Sequence, residues 1–375
     1  IEFVIHYQSP GSPISYYQQV GRAGRAVSHS YGVLLSGSED IDIQDYFIST
    51  AFPSKDSVDT VLDALRNNDG MKLYQLDAIV NVPSMRLTAM LKILEVEGAV
   101  YRTNGQWFRS AAKWDYPTER VEAVTAQRKA EQQAMLHYLK SDSCLLEQLR
   151  TELDDQGAEP CGRCSNCTGR PLPVSVDDKV VEAAIEFLNR TDLVIRPRLR
   201  WPLGYKGPSL KKAGLVEGRA LTVSGDPGLA QLVKHGKDED GLRFDDRLVD
   251  ALAGLIKKWA PDPSPQWIAW VPTFGGDGLV ADLASRLGAK LGIPCHDVVV
   301  KLRQNKPQKQ MQNSYHQASN VQGAFEVNGP LQGHGILLDD ILDSRWTLTV
   351  IGSLLREAGA ETVYPVVLAD ASRGG

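Results

Sequence analysis

The chain has no stretch of apolar residues long enough to cross a bilayer, and no secretory signal is recognisable in it. We therefore expect no membrane partner. It also lacks an excess of positive charge, because 41 Lys and Arg residues stand against 46 Asp and Glu residues, a formal net charge of −5. Any contact with nucleic acid must then come from local basic surfaces, since the overall charge gives no attraction to phosphate.

A third absence is the G-x-x-x-x-G-K-[ST] phosphate loop of nucleotide hydrolases, which occurs nowhere in the 375 residues. Cysteine is scarce as well. Of the five cysteines, four fall between Cys144 and Cys167, which is not the pattern of a secreted disulfide framework. The remaining one, Cys295, stands in an apolar segment and is predicted to be a buried structural thiol.

Residues 18–25 form the motif Q-x-x-G-R-x-G-R. Guanidinium groups suit phosphate oxygens because they are permanently charged and present a planar fork of donors, and the glycines let the backbone turn tightly. A surface Gly-Arg loop is the alternative, since short motifs often match by chance. The apolar run Phe3–Tyr7, which predicts a buried strand just upstream, favours a motif built into a fold.

This opening stretch is similar to the end of the second motor domain of RecQ-family DNA helicases, where the motif closes the ATPase core. The resemblance implies a bacterial, cytoplasmic and nucleoid-associated protein that uses ATP and Mg²⁺ to unwind DNA 3′ to 5′ in repair or recombination. It assigns catalytic roles to Gln18, Arg22 and Arg25, with the arginines stabilising charge on the transferred phosphoryl group. Because the phosphate loop is absent and the chain begins at Ile1, we expect the C-terminal part of a longer protein. The missing motor domains would be its partners, and the chain alone would not hydrolyse ATP.

The four clustered cysteines follow the spacing C-x16-C-x2-C-x2-C, from Cys144 to Cys161, Cys164 and Cys167. Thiolates two residues apart on a tight knuckle can bind one ion, and four thiolates close a tetrahedral zinc site. A redox pair and an iron–sulfur cluster are the alternatives. A helix is predicted over Glu119–Lys140, just before the first cysteine. RecQ helicases have a similar helix, first cysteine and three-cysteine cluster, and this resemblance assigns the four residues as ligands of a structural Zn²⁺.

Residues 55–115 predict three helices followed by a hairpin, whose strands flank the two-residue turn Asn104–Gly105. Three helices and a hairpin indicate a winged helix. It either contacts DNA or packs against protein. The residues predicted to contact DNA are basic and lie on the third helix or on the wing: Arg86, Lys92, Arg102 and Arg109. RecQ helicases usually place the zinc module before the winged helix, whereas here the helices and hairpin come first, so no role is carried over from the family.

The last third of the chain alternates apolar strands with amphipathic helices, which predicts an α/β fold with a mainly parallel sheet. The predicted strands include Trp267–Pro272, His296–Leu302 and a strand ending in the acid pair Asp339 and Asp340. Ligands of such sheets bind at the carboxyl ends of the strands, where the glycine loop 273–278 also falls.

Residues 337–348 resemble the phosphoribosyl pyrophosphate signature of type I phosphoribosyltransferases, and residues 320–325 resemble a stretch of ComF-type members. The resemblance implies that Asp339 and Asp340 bind the ribose hydroxyls. It implies that Ser344 and Thr347 donate hydroxyls to the 5′-phosphate, and that Gly275 and Gly276 belong to the pyrophosphate loop. Asp343 places an anion near that phosphate, which should weaken binding unless Arg345 offsets it.

The predicted fold is thus a multidomain α/β protein whose parts follow one another along the chain. The expected boundaries are 1–52 for the remnant of a RecA-like motor domain, 53–115 for the winged helix, 116–170 for the helical zinc-binding module, 171–178 for a linker, and 179–375 for the phosphoribosyltransferase-like domain. The favoured function is the accessory part of a RecQ-like helicase whose last domain binds phosphoribosyl pyrophosphate or a nucleotide as regulator. An active phosphoribosyltransferase and a non-catalytic DNA-binding adaptor are the alternatives.

Overall fold

The structure is a computed structural model that describes residues 1–24, 27–37, 39–169, 175–189, 193–210, 215–226, 228–238, 243–275 and 278–372. Two predicted site residues, Arg25 and Gly276, lie outside the described residues. The chain divides into two compact units. Unit 1 contains residues 1–58 and 111–177, and unit 2 contains residues 59–110 and 178–375. Across the described ranges, no helix is both long and apolar enough to pass through a membrane.

The elements up to residue 169 are mostly helices. In chain order they are β1 (Phe3–His6), α1 (Pro13–Val20), β2 (Tyr31–Leu34), α2 (Glu39–Ser49), α3 (Lys55–Arg66), α4 (Leu73–Asp77), α5 (Ser84–Val96), β3 (Val100–Thr103), β4 (Gln106–Arg109), α6 (Thr118–Leu139), α7 (Leu145–Thr151) and α8 (Ser165–Thr168).

After residue 175, strands and helices alternate. In chain order they are α9 (Asp178–Asn189), β5 (Leu193–Ile195), β6 (Gly218–Val223), α10 (Leu229–Asp238), α11 (Asp246–Trp259), β7 (Trp267–Trp270), α12 (Leu279–Leu291), β8 (Val299–Lys301), a short 3-10 helix (Gln308–Gln310), α13 (Ser314–Val321), β9 (Phe325–Val327), β10 (His334–Leu342), α14 (Trp346–Glu357) and β11 (Thr362–Asp370).

Unit 1 combines a parallel pair of strands with a helical module. Strands β1 and β2 pair in parallel and are connected through α1. Helix α1 begins where the Ser12 hydroxyl accepts a hydrogen bond from the Ser15 N–H at 3.1 Å, a typical N-cap. Helix α6 packs against α1 and α2. A small buried core, built around Tyr16, Met135 and Tyr138, therefore joins the N-terminal strands and helix to the long helix predicted before the cysteines.

The predicted hairpin is confirmed in unit 2. Strands β3 and β4 pair antiparallel, and Asn104 and Gly105 between them have φ of 49° and 76°. Two central residues with positive φ are what a tight two-residue hairpin turn requires. The three helices predicted before the hairpin are also present as α3, α4 and α5.

A five-stranded sheet forms the centre of unit 2, with strand order β5-β6-β11-β10-β7. Among the strands that the structure describes in this sheet, only β5 is antiparallel to its neighbour, so the prediction of a mainly parallel sheet is confirmed. Its two faces carry separate buried layers. Helices α13 and α14 supply one layer, and α11 and α12 supply the other. Because both faces are covered, β10 and β11 are almost continuously apolar.

One predicted strand does not join this sheet. Of the predicted strand 296–302, only Val299–Lys301 forms a strand, β8, which pairs antiparallel with β9 in a separate two-stranded ribbon. The edge of β7 is instead covered by a single bridge between Ile268 and Cys295. The apolar run correctly predicts an extended segment, but a run of this kind cannot tell which partner strand its backbone will find.

Helices α4 and α5 are joined to the α/β part of unit 2 by two asparagines. The Asn313 side-chain amide donates to the carbonyls of Asp77, Val80 and Val82 at 2.9, 2.9 and 3.2 Å. The Asn81 amide donates to the Gln310 carbonyl, and its oxygen accepts from the backbone N–H of residue 312, both at 2.8 Å. The turn between α4 and α5 is thus held by side-chain contacts to the segment before α13.

Candidate functional sites

The four clustered cysteines meet at one point of unit 1. Their sulfur atoms all lie within 4.8 Å of one another, and those of Cys144 and Cys164 are 4.0 Å apart. Cys144 caps α7, and Gly162 turns the knuckle with a φ of 66°. The backbone N–H groups of Cys161 and Cys164 donate to sulfurs of the cluster at 3.2 and 3.3 Å. The group can therefore hold a metal ion.

The pKa values of these thiols are spread apart. Burial raises the pKa of Cys164, but backbone N–H groups that donate to its sulfur outweigh this and lower it to about 6. The hydrogen bond with Cys164 raises the pKa of Cys167 to about 12. Neighbouring thiolates repel one another, so the four sulfurs do not ionise together unless a cation offsets their charge.

A buried aromatic contact joins the cysteine module to α1. The rings of Tyr16 and Tyr138 lie 5.4 Å apart between centroids, and the two side chains are 4% and 7% exposed. Burial raises the pKa of Tyr138. The His6 ring also contacts Tyr16 edge-on, with 5.0 Å between ring centroids. The helix that leads into residues 18–25 is therefore packed on the helix that leads into the cysteines.

Gln18 lies in the last turn of α1, and Arg22 lies in the turn that follows. Both side chains are exposed. Gly24 closes the turn with a φ of 85°, and its N–H donates to the carbonyl of Ile1 at 3.0 Å. Arg25 belongs to the residues that the structure does not describe, so the position of only one of the two predicted arginines is defined.

The four basic residues predicted to contact DNA differ in their surroundings. Lys92 is exposed on α5, and Arg86 is half-buried. Arg102 is exposed and lies over the Trp107 ring at 5.4 Å. Arg109 donates to the carbonyls of Ala99 and Ser110, so its guanidinium is used within the hairpin.

The acid pair lies within β10 rather than at its end, because the strand continues to Leu342 and stays paired with β11. Asp339 and Asp340 follow Leu338 on β10, and Leu338 is paired with Trp270 at the end of β7. The carboxylate of Asp340 forms an ion pair with Lys237 of α10 at 2.7 Å. Burial, and then the charge of Asp340, raise the pKa of Asp339 well above its usual range.

The loop between β10 and α14 makes a sharp turn. Arg345 has a φ of 65°, in the left-handed region where glycine is usual, and α14 starts at the next residue. Ser344 is only 5% exposed, and its hydroxyl accepts a hydrogen bond from the Gln308 amide at 2.9 Å. Thr347, also predicted in this loop, is half-buried in the first turn of α14.

The cations that act on Asp343 come from outside its own loop. Burial raises the pKa of Asp343, and the cations that lower it are Lys237 and Lys309. The Arg345 guanidinium instead approaches the carbonyl of Arg196 at 3.5 Å. The charges of Lys237 and Lys309 therefore counteract the effect of burial on Asp343, but its pKa remains raised.

The glycine loop begins beside the acid pair. The N–H of Val271 donates to the carbonyl of Leu338 at 2.9 Å, and Gly275 follows with a φ of 82° and open space where a Cβ would stand. Gly276 lies outside the described residues. Gly278, with a φ of 69°, leads directly into α12.

Sequence reasoning missed Lys237, Gln308 and Asn313. Asn313 is a recognisable N-cap of α13, and its side chain accepts from the N–H of His316 at 3.0 Å. Nothing in the local pattern distinguishes Lys237 or Gln308 from other polar residues, because their partners are brought to them by the fold.

The comparisons with known proteins are weak. No protein-family model matches the chain, and no curated protein matches it either. A purine phosphoribosyltransferase from Pyrococcus horikoshii aligns with 34% of this chain and 83% of its own, at 19% identity and a TM-score of 0.23. An O-methyltransferase family protein from Burkholderia thailandensis aligns with 85% of this chain and 76% of its own, at 13% identity and a TM-score of 0.18. At such TM-scores neither likeness carries an argument about function.

Proposed function

We propose that the chain is the accessory C-terminal part of a RecQ-like ATP-dependent 3′–5′ DNA helicase. The observation that carries this proposal is the buried contact between Tyr16 and Tyr138. It packs the helix that carries Gln18, and that leads into the turn with Arg22, directly on the module that brings four thiols together. A metal-braced module in this place would hold the end of a motor domain in position.

The parallel pair β1 and β2 supports the same proposal. Parallel strands are normally covered on both faces. Here Phe3, Ile5 and Tyr31 are 58%, 55% and 61% exposed. Such a pair fits the edge of a larger parallel sheet, as in a motor domain, better than it fits a sheet that stands alone.

We assign the metal as a structural Zn²⁺. Tetrahedral coordination with Zn–S bonds near 2.3 Å places the sulfurs about 3.8 Å apart, close to the 4.0 Å between Cys144 and Cys164. An iron–sulfur cluster inserts several atoms between its thiolates and requires a wider spread than the limit of 4.8 Å found for all four. Such a site stabilises the fold rather than acting in catalysis.

The test of the helicase function uses the protein in which this chain follows intact motor domains. Arg22→Ala should lower DNA-stimulated ATP hydrolysis by about a hundredfold or more, as expected for loss of an arginine that stabilises the transferred phosphoryl group. Arg120→Ala, an equal change on the exposed side of α6, is the control. Equal turnover in both variants contradicts the proposal, and so does unwinding that starts from a 5′ rather than a 3′ overhang. Chain 1–375 alone should show no ATP hydrolysis.

A second function is favoured by the acid pair on β10, just beyond the point where the neighbouring strand β7 ends. Two carboxylates beside a glycine loop, followed by a sharp turn into α14, form a site that suits a ribose bearing phosphates. We propose that unit 2 binds phosphoribosyl pyrophosphate or a nucleotide as regulator. Titration calorimetry with Mg²⁺ and phosphoribosyl pyrophosphate should show binding that Asp339→Asn and Asp340→Asn weaken. The exposed Asp297→Asn serves as control.

The same titration separates the remaining alternatives. Release of pyrophosphate when nucleobases are added would favour an active phosphoribosyltransferase. DNA binding by the chain without any ATPase in the longer protein would favour a non-catalytic adaptor. No binding of phosphoribosyl pyrophosphate or nucleotides would leave unit 2 a structural role.

A further inference from the structure

The Ser344 hydroxyl is held in one hydrogen-bonding role by a chain of amides. Its oxygen accepts from the Gln308 Nε2 at 2.9 Å and has a longer contact of 3.5 Å from the N–H of Trp346. Within the part of the chain that the structure describes, it accepts these contacts and donates none. A hydroxyl has one proton to donate, so the acceptor for that proton is left to a ligand.

The orientation of Gln308 is determined by backbone groups. Its Nε2 also donates to the carbonyl of Gln317 at 3.1 Å, and a carbonyl can only accept. Its Oε1 accepts from the Asn320 Nδ2 at 2.7 Å. Asn320 is fixed in turn, because its Nδ2 donates to the Lys306 carbonyl at 2.8 Å and its Oδ1 accepts from the Lys306 N–H at 3.2 Å. Reversing the side-chain amide of Gln308 or Asn320 would place acceptors against acceptors and donors against donors.

The position of Ser344 identifies the kind of ligand that this arrangement suits. The residue is 5% exposed and stands two residues before α14, a helix of 12 residues. N–H groups at the start of a helix attract anions. A hydroxyl whose oxygen already accepts a hydrogen bond can offer its proton to the same anion as a further donor. Hydrogen bonds arranged in a chain also strengthen one another.

We propose that Gln308 is a positioning residue for this site: by donating to Ser344 it directs the serine proton toward a phosphate monoester oxygen. The proposal rests on phosphoribosyl binding by unit 2. Gln308 itself does not contact the ligand, and Asn320 fixes the orientation of the Gln308 amide. Its contribution therefore passes through Ser344 and disappears when that hydroxyl is removed.

The test is a double-mutant cycle measured by calorimetry with ribose 5-phosphate and, separately, with Mg²⁺ and pyrophosphate. Gln308→Met should weaken ribose 5-phosphate binding by about tenfold, the typical effect of one hydrogen bond to a charged group. Ser344→Ala should weaken it at least as much, and the double variant should bind no more weakly than Ser344→Ala. Pyrophosphate, which the glycine loop is expected to bind, should retain its affinity.

Gln310→Met is the matched control, because Gln310 is exposed in the same short helix. Its affinity for ribose 5-phosphate should equal that of the unchanged protein. Effects of Gln308→Met and Ser344→Ala that multiply would overturn the positioning role, as would equal affinities of the Gln308 and Gln310 variants. If Gln308→Met does not fold, Asn320→Ser removes the amide that orients Gln308 and takes its place in the cycle.

The outcomes for the two proposals are distinct. Failure of the unchanged protein to bind ribose 5-phosphate overturns both the phosphoribosyl function and the role of Gln308. Binding that is insensitive to Gln308→Met leaves the phosphoribosyl function standing and overturns only the positioning role.

Discussion

Lys237 of α10 and Asp340 of β10 form an ion pair of 2.7 Å, with the lysine 36% and the aspartate 14% exposed. Burial raises the pKa values of Asp339 and Asp343, and the charge of this lysine counteracts part of that rise. Lys237 therefore acts on three carboxylates, and Lys309 adds a second cation near Asp343. Because burial raises the pKa of Asp339 and of Asp343, the folded state holds protons there that the unfolded chain releases.

We predict that Lys237→Met lowers the free energy of unfolding by about 1–2 kcal/mol near pH 7, between the values for exposed and buried pairs. The raised carboxylate pKa values make stability fall as pH rises above about 4, the usual pKa of a free aspartate. Without Lys237 this fall should be steeper. Urea unfolding from pH 4 to pH 7 measures how the free energy of unfolding falls with pH. The exposed Lys234→Met of the same helix is the control. Equal slopes for the two variants would contradict the prediction.

Metal removal should destabilise one unit and not the other. We predict that Cys161→Ser, or chelation, abolishes zinc binding and raises hydrogen exchange in residues 118–151, because the metal ties the cysteines to α7 and, through Tyr138, to α1. Exchange in residues 334–370 should be unchanged. Elemental analysis should find one zinc per chain in Cys295→Ser, which lies outside the cluster. Zinc retained at full stoichiometry in Cys161→Ser would exclude the four-thiolate site.

Asn313 should be essential for holding α4 and α5 against the α/β part of unit 2. Asn313→Asp keeps the oxygen that accepts from His316 but points a second oxygen at the carbonyls of Asp77, Val80 and Val82. Because the side chain is only 4% exposed, the free energy of unfolding should fall by about 2–4 kcal/mol. The reason is that a carboxylate oxygen is then held against carbonyl oxygens.

Urea unfolding measures this loss, and hydrogen exchange in residues 73–96 locates it. Asn328→Asp, the same change at an exposed position, is the control. A stability equal to that of the control would show that the amide contributes nothing to holding the turn.

His6 should make unit 1 sensitive to mild acid. Burial lowers the pKa of His6, and its Nε2 has no hydrogen-bond partner within the described residues. The unfolded chain therefore binds a proton near pH 6.5 that the folded state resists, so stability is lost as pH falls below about 6.5. His6→Phe should remove this dependence, whereas the exposed His29→Phe should not. Hydrogen exchange of residues 118–139 at pH 7.5, 6.5 and 5.5 measures how the stability of unit 1 depends on pH. The same pH dependence in both variants would show that a group other than His6 causes it.

Two of the basic residues predicted to contact DNA should behave differently. Lys92→Ala should reduce DNA affinity for all sequences and lower the slope of log affinity against log salt by about 1, without changing the melting temperature. Arg109→Ala should lower the melting temperature, because its guanidinium holds the carbonyls of Ala99 and Ser110. Fluorescence anisotropy against salt measures the first effect and calorimetry the second. An unchanged salt slope in Lys92→Ala would place DNA away from α5.

The sequence by itself determined the features that depend on near neighbours along the chain. The cysteine spacing predicted the four-thiol cluster, Asn104–Gly105 predicted the hairpin, and the alternation of strands and helices predicted a mainly parallel sheet. Periodicity and turn chemistry depend on a few neighbouring residues, so they can be recognised in the sequence without knowledge of the fold. The strand with which a segment pairs cannot be recognised in this way. Within residues 296–302, for example, β8 pairs in a ribbon outside the sheet.

Only the tertiary structure decided which polar side chains meet. Gln308 reaches Ser344 across 36 positions, and Asn313 reaches Asp77 across 236. Lys237, rather than Arg345, supplies charge to the acid pair and to Asp343. Each of these contacts exists because packed helices and strands bring distant segments within 3 Å or so, and a hydrogen bond depends on that geometry rather than on local residue preference.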